Sequence, residues 1–128
     1  MTLLLDTHTL LWMLSKSTRL SKRARSALAD RGNDLFFSIA GYWEIGIKIS
    51  LGKLDLAPKW EETIPREMTR NGVSWLGIEP EHVATVAKLP WIHPDPFDRI
   101  MIAQALCKEC TIITADPFFR DYSVPAIW

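Results

Sequence analysis

Short apolar runs alternate along the chain with longer stretches of helical period. Leu3-Leu4-Leu5 runs directly into Asp6, the pattern of a strand buried on both faces that stops at an acid. The run from Thr9 to Leu14 continues as a helix and ends at Ser15-Lys16-Ser17. Ser21 reads as the N-cap of a second helix, Lys22 to about Arg31, with Ala24, Ala27 and Leu28 on one face and Gly32-Asn33 as its stop. Asp34 to Ser38 is a second strand. Ala40 to Ser50 follows as a helix with Trp43, Ile47 and Leu51 on one stripe, closed by Gly52.

The second half repeats this rhythm. Leu54 to Pro58 is an edge or a loop, because proline removes a ladder donor. Trp60 to Arg70 is a polar helix in which Pro65 marks a break or a first turn. Val73 to Ile78 reads as a third strand and Pro80 to Lys88 as a short helix. Leu89 to Phe97 carries Pro90, Pro94 and Pro96 and is irregular. Asp98 to Cys107 is helical with Ile100, Ala103 and Leu106 inside, Thr111 to Thr114 is a fourth strand, and Val124 to Trp128 adds a last short one. Strands alternating with helices predict the α/β class.

Composition changes this picture little. At 128 residues, with 48% hydrophobic and 23% charged positions, the chain reads as one soluble globular domain, residues 1–128. Fifteen basic residues balance fifteen acidic ones (Lys+Arg 15, Asp+Glu 15), so no global field argues for nucleic acid or a membrane surface. A phosphate substrate stays open, since a bound cation reverses the local sign. Asp6 and His8 interrupt the apolar start, and no segment reaches the ~18 apolar residues of a membrane span. A cytoplasmic location is expected. Cys107 and Cys110 are spaced as CxxC but lack nearby partners, so they read as two reduced thiols.

Four acids carry the chemistry. Asp6 and Asp116 follow strands, while Glu44 and Asp98 stand in the first turn or so of helices. In a parallel sheet, strand C-termini and the following helix N-termini share one edge, so all four converge there. Converging carboxylates raise one another's pKa unless a cation is present. Their hard oxygens suit Mg²⁺ or Mn²⁺, and such a site activates water for in-line attack on a phosphodiester.

Each acid also has a structural reading. Glu44 or Asp98 alone would be a dipole-complementing helix acid, worth ~0.3 to 1 kcal/mol, and Asp116 before Pro117 a turn residue or cap. Asp95, between two prolines, is better as a cap than as a rival to Asp98. Lys48, four residues after Glu44, either touches a phosphate or pairs with Glu44. Arg99 binds phosphate or an acid, or is simply solvated, and the solvated reading is preferred. Thr7 and Thr114 orient metal waters or serve as strand-end and cap residues. His8 and His93 are ligands or proton carriers or, as preferred, structural residues, and the tryptophans, Trp12 and Trp43 above all, are read as core rather than as base-stacking groups.

Four runs together resemble a known family: Leu5-Asp6-Thr7-His8; Tyr42-Trp43-Glu44-Ile45 to Lys48 with Gly52-Lys53-Leu54; His93-Pro94-Asp95-Pro96-Phe97-Asp98-Arg99 to Ala105; and Ile113-Thr114-Ala115-Asp116. They look like a PIN-domain protein of the VapC toxin type, in order over nearly the whole chain. The resemblance implies a three-layer α/β/α sandwich around a mainly parallel sheet of four to five strands. It further implies a Mg²⁺-dependent endoribonuclease, the toxin of a toxin–antitoxin pair, with RNA as substrate, a cognate antitoxin as partner and a homodimeric state. Asp6, Glu44, Asp98 and Asp116 match its acidic cluster, and Thr114 matches a hydroxyl beside the last acid. Gly41 stands where similar sequences often carry serine. Two rivals are a catalytically silent binding module and a phosphotransferase with an aspartyl nucleophile; the latter wants a second acid where His8 stands.

Overall fold

The structure, a computed structural model, describes residues 1–128. Five strands form one sheet in the order β3-β2-β1-β4-β5: β1 (Thr2–Leu5), β2 (Asp34–Ser38), β3 (Val73–Leu76), β4 (Thr111–Ile113) and β5 (Ala126–Ile127). Every pairing is parallel. The chain builds outward from β1 through β2 to β3, then returns to place β4 on the other side of β1. That reversal makes the β1/β4 boundary the switch point, where open α/β sheets hold ligands at their carboxyl ends.

Side chains alternate across β1 and so feed two cores. Leu3 and Leu5 face Leu35, Phe37, Val73 and Ile113 beneath α1 (Thr7–Leu14), α2 (Lys22–Ala29) and α4 (Trp60–Arg70). Leu4 faces Ile112, Met101 and Ile102 on the opposite side, under α5 (Pro80–Lys88) and α6 (Pro96–Lys108). Helices on both faces make three layers, and all three leucines of β1 are fully buried, as a double-faced strand requires. Between the layers, α3 (Ile39–Ser50) packs on α1 and reaches α6.

The expected elements are present, with informative differences. Pro65 does not break α4: Ile64 and Met68 bury on one face and carry the helix across the single lost hydrogen bond. Leu54 to Pro58 is loop, and β5 shrinks to two residues. On α6 the buried side chains include Arg99, Met101, Ile102 and Gln104, whereas Leu106 is exposed. The supposed stripe of α3 is turned outward: Trp43 and Leu51 are exposed, and Ala40, Gly41, Glu44 and Ile45 face inward. Gly41 permits that orientation, since a Cβ there would lie 2.7 Å from the ring of Phe37 and 3.1 Å from Thr7 Oγ1. Both cysteines are free, and no helix is long and apolar enough to cross a membrane.

Candidate active site

Asp6 ends β1 and caps α1. Its Oδ1 accepts from Thr9 N at 2.7 Å, while Oδ2 accepts from Thr114 Oγ1 at 2.5 Å. Thr114 lies just past β4, and its hydroxyl oxygen also accepts from Asp116 N at 3.0 Å. One hydroxyl therefore ties the acids of two adjacent strands together, using its single proton and a lone pair. Thr9, which no sequence signal singles out, donates from Oγ1 to Ile113 O at 2.8 Å and fastens α1 to the same strand end.

Glu44 enters from α3. It is the sixth residue of that helix, beyond the first turn that the sequence suggested. Thr7 Oγ1 donates to its Oε1 at 2.6 Å, and Lys48 Nζ lies 3.0 Å from its Oε2. Lys48 thus takes the ion-pair alternative, and Thr7 holds a carboxylate directly. Asp98 stands in the first turn of α6, whose N-cap is Asp95, as its proline-flanked position suggested. Asp116 caps the 3₁₀ turn Pro117–Tyr122 through Phe118 N, 2.9 Å away.

The four acids, with Asp95 and Lys48, line one cleft of about 310 Å³ at the carboxyl end of β1 and β4. Burial pushes the Asp6 carboxyl above the ordinary range, against the hydrogen bonds from Thr114 and Thr9. Asp98 is pushed up to about 6, first by burial and then by the charges of Asp95 and Glu44, with a hydrogen bond from His93 pulling it back. Five carboxylates against one ammonium form a strongly anionic concavity in a chain of zero net charge.

His93, for which the sequence favoured a structural role, stands among the acids. Its Nε2 lies 2.8 Å from Asp98 Oδ2, and the ligand atoms of His93, Asp98 and Asp116 all fall within 4.8 Å of one another. Tyr122 accepts from His93 N at 2.7 Å and fixes the irregular segment that carries it. The signal was present as a histidine five positions before Asp98 in a proline-bound loop, but loop geometry decides whether such a residue folds back. Arg99 turns the other way. It is buried, donates to the carbonyls of Pro90, Val86 and Leu89 and to Tyr122 Oη, and lies under the Trp91 ring at 4.1 Å. It is therefore neither solvated nor placed to bind a phosphate. His8 is exposed at the rim and stacks on Trp12.

A family model described as PIN domain matches residues 3–125. The chain belongs to the PIN-domain family. A curated relative, Ribonuclease VapC22 of Mycobacterium tuberculosis, is 27% identical over 128 residues, covering 97% of this PIN domain and 94% of the relative. Among solved structures, VapBC2 from Rickettsia felis bound to a promoter DNA fragment aligns with a TM-score of 0.75 at 13% identity, covering 99% of this chain and 98% of that one. FitAcB from Neisseria gonorrhoeae aligns at 0.67 and 16%, covering 98% and 96%. At these identities the structures bear on the fold of this PIN domain, which they share.

Proposed function

We propose that this PIN domain, residues 1–128 acting as one unit, is a metal-dependent endoribonuclease, the toxin of a VapC-type toxin–antitoxin pair. The observation that carries the reading is the cleft itself: Asp6, Glu44, Asp95, Asp98 and Asp116 gather at the sheet's switch point beside a single Lys48. The name of the VapC22 relative supports ribonuclease activity. The VapBC neighbours support an antitoxin partner for this chain.

The donor set fits a hard divalent cation. Asp6, Glu44, Asp98 and Asp116 would hold Mg²⁺ or Mn²⁺ through carboxylate oxygens. Burial raises the Asp6 and Asp98 carboxyls, and the charges of Asp95 and Glu44 add to the rise at Asp98, so a cation at these oxygens would favour their ionised forms. When bound, the cation supplies Lewis acidity, lowering the pKa of water and neutralising charge that builds on the phosphodiester. The chain's own residues do the rest. Thr114 and Thr9 hold Asp6, Thr7 and Lys48 hold Glu44, and His93 holds Asp98. With its side chain 38% exposed, Lys48 also offers an ammonium to an incoming phosphate. A homodimeric state and action in the cytoplasm, where RNA and the antitoxin reside, belong to the same proposal.

The decisive comparison is RNA cleavage by the parent and by Asp6→Asn, each with Mg²⁺, with Mn²⁺ and with a chelator. Asparagine keeps the cap to Thr9 but removes the charge, so the variant should stay folded by circular dichroism and lose cleavage to background. Equal cleavage by both proteins would sink the metal-site reading. A parent inactive under every metal condition would favour the silent binding module.

A further inference from the structure

Phe118 is 45% exposed, yet it is not a loose surface ring. Its ring stacks on the His93 imidazole with centroids 4.9 Å apart and planes 11° from parallel. That imidazole is bonded to Asp98, and the backbone N–H of Phe118 is bonded to Asp116. The phenyl group is thus locked, from its ring and from its backbone, to two of the four acids of the cleft. One face is covered by imidazole and much of the remaining surface is open to solvent.

Resting on the nuclease reading, we infer that Phe118, backed by His93, is a stacking platform for an unpaired nucleobase adjacent to the phosphate held at the acids. A flat π-face fixed in orientation suits any base, because every base has a π-face of its own. In a duplex both faces of each base are already covered, so a platform of this kind selects single-stranded segments and loops. The platform thus grips one unpaired base next to the reacting bond. Phe118 acts here by binding, while His93 positions it.

The test uses full-length protein carrying Asp6→Asn, so that RNA is not consumed, and a single-stranded oligoribonucleotide containing 2-aminopurine, with the matching duplex as control. Stacking should quench the probe, and Phe118→Ala should abolish the quench and raise Kd for the single strand by roughly 5- to 100-fold. Affinity for the duplex should not change. Phe118→Tyr should hold Kd within about twofold, whereas Phe118→Leu, equally apolar but not aromatic, should behave like alanine. In the active background, Phe118→Ala should raise KM more than it lowers kcat, with Mn²⁺ affinity unaltered. Unchanged quench and Kd in Phe118→Ala, or full binding by Phe118→Leu, would overturn the platform. A parent that cleaves RNA while Phe118→Ala binds normally refutes only the platform. A parent that neither cleaves nor binds RNA refutes the nuclease reading with it.

Discussion

Two residues illustrate how the cleft controls its own chemistry. Asp98 is raised from 3.8 to about 6, chiefly by burial. A carboxyl whose folded pKa exceeds its unfolded value stabilises the fold fully below the unfolded value, and that contribution is lost as pH rises through the folded one. In chelator, urea unfolding should therefore show stability falling between about pH 4 and about pH 7, and Asp98→Asn should flatten that part of the profile. Cation binding has the opposite dependence, because it needs the carboxylate. Calorimetric affinity for Mn²⁺ should drop by up to about tenfold per pH unit below about 6, with proton release on binding. Gly41 acts sterically instead. A methyl there meets the Phe37 ring at 2.7 Å, and that ring is fully buried and cannot swing away. Gly41→Ala should cost about 1–3 kcal/mol in denaturant unfolding.

At the scale of elements, the segment between α5 and α6 has no ladder or helix of its own, and Arg99 on α6 donates to the carbonyl of buried Leu89 and, beside Ile92 N, to that of Pro90. Buried polar groups left unpaired cost about 1–3 kcal/mol each, so Arg99→Met should destabilise by at least about 2 kcal/mol in urea unfolding and loosen His93 as well. Much of the framework was legible in the chain. Leu3-Leu4-Leu5 announced a central strand, and Pro80 and Gly52 marked helix ends that the structure keeps. Asp6, Asp98 and Asp116 follow from strand and helix ends, whereas Glu44 stands in the middle of α3, and the cleft contains all four. What stayed hidden depends on which way a helix is rolled. Periodicity located a stripe on α3 through Trp43, but a charged side chain, Glu44, occupies the inward face because Thr7 and Lys48 satisfy it there. Arg99 and His93 were hidden for a related reason: their partners are backbone atoms of an irregular loop or side chains reached across one, and no spacing rule encodes either.

For the whole molecule, the paired acids and the fold are thermodynamically linked, so a cation that binds only the folded form should raise the midpoint of thermal unfolding. At 100 times its Kd the gain is about 2.7 kcal/mol, read as a Tm shift with Mg²⁺ or Mn²⁺ that vanishes in Asp6→Asn. The bond from Thr114 to Asp6 spans 108 positions, and that separation bears on synthesis. Asp6 leaves the ribosome with the first strand of the sheet, but the hydroxyl that holds it is made 108 positions later. A nascent chain can pair β1 with β2 and still lack β4, Thr114 and Asp116, leaving Asp6 without the hydroxyl that aligns it. Alignment of the acids is thereby deferred until β4 has been made and paired with β1, a delay written into strand order.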